Sequence, residues 1–427
     1  MISVMECGAR GDGISVDTIA IQAALNMCRD NGGGKVVFPG GHIFKTGSLI
    51  LYSNTELHIE SGAVVRGSDD LADYRKFSDV PTDMRVPSYV NCEYDGKPAN
   101  VFIYAANGEN IRITGHGTID GMEELYYGAT DRYYIDGAWY PRTPLIFVEN
   151  VKHLTVRDVT LTRSGFWTLH MVGCDDVLVD GIRILNNMRM ANNDGIDPDH
   201  CRNVRIANCH IETADDNIVI KTSKAYENYG PSENIVITGC TLMSTGGAVK
   251  FGTESESDFR NVIVENCCIR GTNRGVTLQL RDKGNIENVL VQNLNIGTRR
   301  FAESYWGRGE PVAVTCIPRH EGAPLGMIRN VRFRNLNCEG ENGIFLYGSE
   351  GDPIRDLSFA DVHLRLTKTS SWEPDGYDLR PCDGDGKLAS KIYGVYAEHT
   401  QGLTLESVTV DVDESIRPWF AGERHGC

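Results

Sequence analysis

The chain has 427 residues, with 42 Lys+Arg against 58 Asp+Glu and a formal net charge of −16. That balance, with no long basic run, excludes a general nucleic-acid binder, which must concentrate cations against phosphate. With 41% hydrophobic and 23% charged residues the chain is too apolar for disorder, and it contains no uninterrupted apolar stretch of membrane-spanning length.

The first residues, Met1 to Cys7, show neither the basic nor the apolar region of a secretory leader, and the 13 cysteines form no CxxC pair. Both features lead to the expectation of a cytoplasmic protein with reduced thiols. From Asp17 to Cys28 the apolar residues Ile19, Ile21, Ala24, Leu25 and Cys28 follow a helical period, and Gly32-Gly33-Gly34 ends it. This segment is expected to cap the open end of the strand repeat that follows, with residues 1–50 forming the cap and first coil.

A polar residue followed by alternating apolar positions recurs along the chain. Copies start at Glu56 and Asn110, then at His153, Asp176, Asn203, Asn234, Asn261, Asn288, Asn330, Asp356 and Gly402, with steps from His153 of 23, 27, 31, 27, 27, 42, 26 and 46 residues. Alternation is strand periodicity, and this step length fits one turn of a right-handed parallel β-helix, each strand pairing with its equivalent one coil away. The fold class is therefore all-β, a single-domain parallel β-helix over residues 1–427. A β-sandwich is the runner-up, but hairpins leave the fixed register of the polar positions unexplained.

The register carries two further expectations. The column Val159, Ile182, Cys209, Cys240, Cys267, Leu294, Leu336 and Val362 should point inward, stacking three cysteines as small apolar fillers. Asn208, Asn266, Asn293 and Asn335 should mark turns where Asn adopts a left-handed backbone and bonds its stacked neighbours. The two long steps place insertions at 297–327 and 365–400, the usual places for a solenoid to build a cleft.

Acidic residues concentrate in Asn192-Asn193-Asp194-Gly195-Ile196-Asp197-Pro198-Asp199-His200 and in Asp215-Asp216. Aligning these strands with the next two sets Ile196, Ile218, Val249 and Val276 at one interior level and Pro198, Ile220, Phe251 and Leu278 at another. Asp194, Asp215 and Asp216 then meet on an exterior face, where mutual repulsion raises at least one pKa. A protonated acid beside ionised bases is the equipment of glycosidic cleavage. Asp-Asp and Asn-Asn-Asp are also ordinary turn elements. A calcium site from Asp194, Asp197, Asp199 and Asp215 is the main competitor, ranked lower because no loop has EF-hand spacing. His200 reads as a turn residue.

These residues give the sequence a specific resemblance. It resembles glycoside hydrolase family 28, the polygalacturonase and rhamnogalacturonase family, over nearly its whole length. The resemblance runs through Gly8-Ala9-Arg10-Gly11-Asp12-Gly13 with Asp17 to Gln22, through Gly165 to His170, through Asn193-Asp194-Gly195-Ile196-Asp197, and through Asp215-Asp216. It implies a general acid at Asp216, with Asp194 and Asp215 holding and deprotonating the water of an inverting hydrolysis, and no cofactor or metal. Two departures stand out. The family's Gly-His-Gly aligns with Gly246-Gly247-Ala248, and the Gly-His-Gly at residues 115–117 precedes the catalytic coils. The family's Arg-Ile-Lys, which grips the substrate carboxylate, aligns with Thr277-Leu278-Gln279. These losses allow a neutral or differently oriented sugar.

Asn193, Lys221, Lys250, Arg274, Gln279, Arg281 and Trp306 are the candidate substrate-binding residues, with Glu254, Glu310, Arg319 and His320 as further cleft candidates. The expected function is hydrolysis of pectin-related oligosaccharides, exo-acting because the long insertions can close one end of the cleft. The expected partner is an oligosaccharide, with neither nucleic acid nor membrane. A β-helix lyase or epimerase acting on uronates and a non-catalytic carbohydrate-binding solenoid are the alternatives.

Overall fold

A computed structural model describes residues 1–79 and 100–426 of the chain. Thirty-three strands pair into one continuous wound sheet. The ladders within it are parallel, which is why the strands recur at coil spacing and not as hairpins. Three series of pairings run along the axis. One links Val36, Leu57 and Ile113 and, further on, Val156, Val179, Ile206, Ile237, Val264, Val291, Phe333 and Phe359. A second runs through Leu161, Ile184, Ile211, Leu242 and Ile269. The third carries Leu169–Val172, Ile196–Asp199, Ile218–Thr222, Gly247–Ser255, Arg274–Leu280, Val312–Cys316, Ile344–Gly348 and Ile392–Glu398. The winding is right-handed, the hand that twisted strands impose on parallel crossovers.

Interior positions form columns. Val159, Ile182, Cys209, Cys240, Cys267, Leu294, Leu336 and Val362 are all at most 3% exposed, as the repeat requires. The thiols of Cys209, Cys240 and Cys267 stack, and the hydrogen bond with Cys209, followed by burial, pushes the Cys240 thiol up to about 12 against the opposing bond with Cys267. All the described cysteines are free, and Cys92 and Cys427 lie outside the described residues. Phe333 and Phe359 stack one coil apart with ring centroids 4.5 Å from each other.

The corners are set by asparagine. Asn208, Asn266, Asn293 and Asn335 all have φ between 50° and 58°, and side-chain bonds run from Asn335 to Asn293 and from Asn293 to Asn266. A second ladder, not foreseen from sequence, occupies the start of the repeat: Asn203, Asn234, Asn261, Asn288 and Asn330 have positive φ, and each amide donates to its neighbour one coil back from Asn234 onward. A left-handed corner costs Asn little, and the stacked amides satisfy one another.

At the N-terminal end the helix Thr18–Asp30 buries Ile21, Ala24, Leu25 and Cys28 over the first coils. Asp17 accepts hydrogen bonds from the backbone N–H of Arg10 and Gly11, tying the entry turn to the helix start. Beyond Leu366 the second long insertion forms a small antiparallel hairpin, Gly376–Asp378 with Lys387–Ala389. A further insertion between the copies at Asn110 and His153 carries another, Tyr127–Thr130 with Ile135–Gly137. These excursions surround the third face of the solenoid.

Candidate active site

The strand register predicted for the third face is the register found. Ile196 pairs with Ile218, Ile218 with Val249 and Val249 with Val276, while Ile220, Phe251 and Leu278 form the next interior level. Asp194 and Asp216 each precede their pairing Ile by two residues and so rise at one level. Oxygens of Asp194, Asp215 and Asp216 all lie within 4.8 Å of one another. They line a cavity of about 150 Å³ with Asn192, Trp167, Lys221, Lys250, Glu254, Arg274, Thr277 and Gln279, walled by Tyr134, Tyr140 and Ser304 to Trp306 from the insertions.

Backbone contacts fix the carboxyls. Asp215 accepts from the N–H groups of Asp216 (3.0 Å) and Asn192 (3.2 Å). Asp216 accepts from Gly247 N at 3.0 Å. A Cβ at Gly247 would stand 2.7 Å from Asp216 Oδ1, so glycine here leaves that carboxylate where it is and any larger residue would displace it. Asn193, expected at the substrate, lies beneath the floor and is fully buried. Its side-chain oxygen accepts from Ala214 N and Asp215 N and its amide donates to Asn187 O, so it positions Asp215 while its neighbour Asn192 faces the cavity.

Two lysines stand among the acids. Lys250 Nζ is 2.8 Å from Asp216 Oδ2 and lies over the Trp306 ring, 5.3 Å from its centroid. Lys221 Nζ is 3.2 Å from Glu254, 3.8 Å from Asp197 and 3.9 Å from Asp194, and sits 4.3 Å from the Trp167 ring centre. Burial disfavours both ammonium groups, but the surrounding carboxylates outweigh it and hold both pKa values above the ordinary lysine range. Glu254 reaches the site because the ladder shifts register: Ile220 pairs with Phe251 but Thr222 with Ser255, so Gly252 to Glu254 carries two extra residues. Such bulges re-aim side chains beside functional sites.

Protons are unevenly held. Burial, then the neighbouring Asp215 and Asp197, raises Asp194 well above the carboxylate range, and burial followed by Asp216 raises Asp215. Asp197, fully buried, is likewise raised, chiefly by burial, and neither of its oxygens has a hydrogen-bond partner among the described residues. Carboxyls this close repel one another as anions, which favours protons on Asp194, Asp215 and Asp197. The oxygens of Asp194, Asp215 and Asp216 are near enough to ligate one cation, but the four-aspartate set that competed with hydrolysis in the sequence reading is not assembled. Asp199 turns away to Ser223 N and His170, and Asp197 lies behind Lys221.

The remaining candidates divide. Arg274 lines the cavity but is bound to Glu310 at 3.2 Å and to Asp378 O at 2.5 Å. Gln279 also lines it, its amide donating to Arg380 O. Arg281 does not. Fully buried, it donates to the carbonyls of Leu379 and Pro381 and anchors the second insertion from below. Arg319 joins Asp282 and Thr253 O, and the exposed His320 pairs with Asp383. His116 of the early Gly-His-Gly stands on another face, near Glu56 and His58. Sequence reasoning missed Trp167, Asn192, Tyr134 and Tyr140. The 43-residue step from Asn110 to His153 was the available signal for the tyrosines, being longer than one coil.

Comparisons with known proteins agree with the wound parallel fold that carries this cavity. Residues 67–300 match the family model described as Glycosyl hydrolases family 28, and residues 1–65 match one described as Rhamnogalacturonase A/epimerase, pectate lyase-like. The chain is 31% identical to a probable polygalacturonase of Vitis vinifera, over 58% of this chain and 50% of the relative. It is 25% identical to an exo-poly-alpha-D-galacturonosidase of Dickeya chrysanthemi, over 60% of this chain and 48% of the relative. The chain thus spans about half the length of these curated relatives. Among solved structures, the exopolygalacturonase from Thermotoga maritima superposes with a TM-score of 0.76 at 23% identity, covering 96% of this chain and 91% of that one, which establishes the right-handed parallel β-helix.

Proposed function

Because the chain belongs to glycosyl hydrolases family 28, we propose that it is a glycoside hydrolase acting on pectin-related oligosaccharides by carboxylate acid/base chemistry with inversion at the anomeric carbon. The observation that carries this reading is the meeting of Asp194, Asp215 and Asp216, with oxygens within 4.8 Å, at the floor of a walled cavity.

In the proposed step Asp215 in its acid form protonates the glycosidic oxygen as the C1–O bond breaks, a role its raised pKa suits. A water held by Asp194 and Asp216 attacks C1 and gives its proton to Asp216, whose carboxylate form pairs with Lys250. This exchanges the roles that family resemblance assigns to Asp215 and Asp216. An inverting acid and base usually stand roughly 6.5–9.5 Å apart. The tighter cluster here suits two acids that share a water, with the third serving the leaving group.

Exo action is part of the proposal. It is supported by Ser304 to Trp306 at the cavity and by the insertion that Arg274 and Arg281 pin beside it. A cytoplasmic location is supported by the stacked free thiols of Cys209, Cys240 and Cys267.

The test is incubation with a panel of pectic oligosaccharides, following reducing ends, absorbance of unsaturated uronides and the anomer released, the last by proton NMR before mutarotation. Reducing ends of inverted configuration without the chromophore are expected. Formation of the chromophore would instead establish the lyase, and retained configuration would remove the assigned water.

A further inference from the structure

We propose that the cavity floor selects an uncharged sugar, a neutral hexose or deoxyhexose residue, over a uronate. The inference rests on the hydrolase reading and names its substrate class.

Charge matching in the cavity decides the preference. Among the described residues lining the cavity, the cations are Lys221, Lys250 and Arg274. Each already faces a carboxylate: Lys250 faces Asp216 at 2.8 Å, Lys221 faces Glu254 at 3.2 Å, and Arg274 faces the fully buried Glu310 at 3.2 Å. Asp194, Asp215 and Asp197 remain beyond those three pairs, so the site is neutral when they hold protons and negative when they do not. A substrate carboxylate entering here would lose its hydration, approach this acid cluster and find no cation lacking a partner.

The neutral groups on the lining point the same way. Thr277 is 1% exposed and lines the cavity, and its Oγ1 has no hydrogen-bond partner among the described residues. A buried hydroxyl without a partner costs stability unless a ligand supplies one, and it can both donate to and accept from a sugar hydroxyl. Gln279 stands beyond it on the same strand with its amide nitrogen held on Arg380 O. Trp306, half-buried at the rim, offers an aromatic face to the C–H face of a pyranose. Carboxylates that accept from hydroxyls, a hydroxyl, an amide and an aromatic ring are the equipment for a polyol.

The deciding experiment compares α-1,4-linked trigalacturonate with its carboxyl-reduced counterpart, identical in ring configuration and linkage, beside rhamnosyl and galactosyl oligosaccharides. The intact protein at neutral pH should give a kcat/KM for at least one neutral substrate about tenfold or more above that for the acid. Its KM should change little with salt, since no charged contact is made. Thr277→Arg should move the ratio toward the acid. If that variant fails to fold, the comparison on the unaltered protein still decides. Preference for trigalacturonate overturns the inference and leaves the hydrolase intact. Cleavage of neither class removes the hydrolase reading and this inference with it.

Discussion

Lys250 Nζ stands 2.8 Å from Asp216 Oδ2, and both side chains are nearly closed to solvent, at 11% and 6% exposure. The lysine comes from the strand one coil beyond, where Val219 pairs with Lys250 and Lys250 with Thr277. The parallel ladder therefore delivers a cation to a carboxylate of the acid cluster without any loop. Lys250→Met should leave that carboxylate buried and unpaired. The expected stability loss is about 3–5 kcal/mol, the cost of breaking a buried pair from one side, with kcat reduced at least about 100-fold. Urea unfolding and steady-state kinetics measure the two separately. Unchanged kcat in a folded Lys250→Met protein would contradict the pairing's role.

Asp194 makes a different prediction because it is held as an acid. Its folded pKa lies above the unfolded value, chiefly through burial, so the native state binds the extra proton across the window between the two. There the unfolded chain carries fewer protons and stability falls as pH rises, starting near the ordinary aspartate value of about 3.9. Asp194→Asn removes this dependence. The variant should unfold at higher temperature than the parent at neutral pH, by about 1–2 kcal/mol of stability, while losing turnover. The gap should close as pH drops toward 4. A variant less stable than the parent at pH 7 would rule out the raised acid.

Much of this architecture was legible in the sequence because a solenoid repeats its rule. The interior column from Val159 to Val362 and the pairing of Ile196, Ile218, Val249 and Val276 follow from alternation and coil length alone, and the three acids meet because register carries them there. Three features were not legible. The bulge at Gly252 to Glu254 breaks the period locally, so Glu254 could not be placed against Lys221. Asn192 and Asn193 exchange faces at a turn, where φ of 53° at Asn192 interrupts strand alternation. Arg281 reads as a binding cation by position but is consumed by the carbonyls of Leu379 and Pro381, partners about 100 residues away that no local pattern reveals.

The division of labour between Asp215 and Asp216 can be separated by leaving-group chemistry. If Asp215 protonates the departing oxygen, Asp215→Asn should lose about 10²–10⁴-fold in kcat on an oligosaccharide. It should lose far less on an aryl glycoside, whose phenolate departs without a proton. Asp216→Asn, which removes the base, should be equally poor on both. The reverse pattern would restore the general acid to Asp216.

Arg281 is fully buried and donates from Nε to Pro381 O and from Nη2 to Leu379 O, both at 2.8 Å, and burial lowers its pKa to about 9. Arg274 and Gln279 add bonds to Asp378 O and Arg380 O, so residues 378–381 are pinned at successive backbone carbonyls to the strand Arg274–Leu280 and to Arg281 just past its end. Arg281→Leu keeps bulk but leaves those carbonyls without their donors. It should cost about 1–3 kcal/mol and loosen the segment beside the cavity. If this wall makes the enzyme exo-acting, the parent should release only the terminal unit from a long oligosaccharide, and Arg281→Leu should yield a spread of internal fragments. Chromatography of early products tests this. A monomer-only profile from a folded Arg281→Leu protein would show that the end of the cleft is closed by other residues.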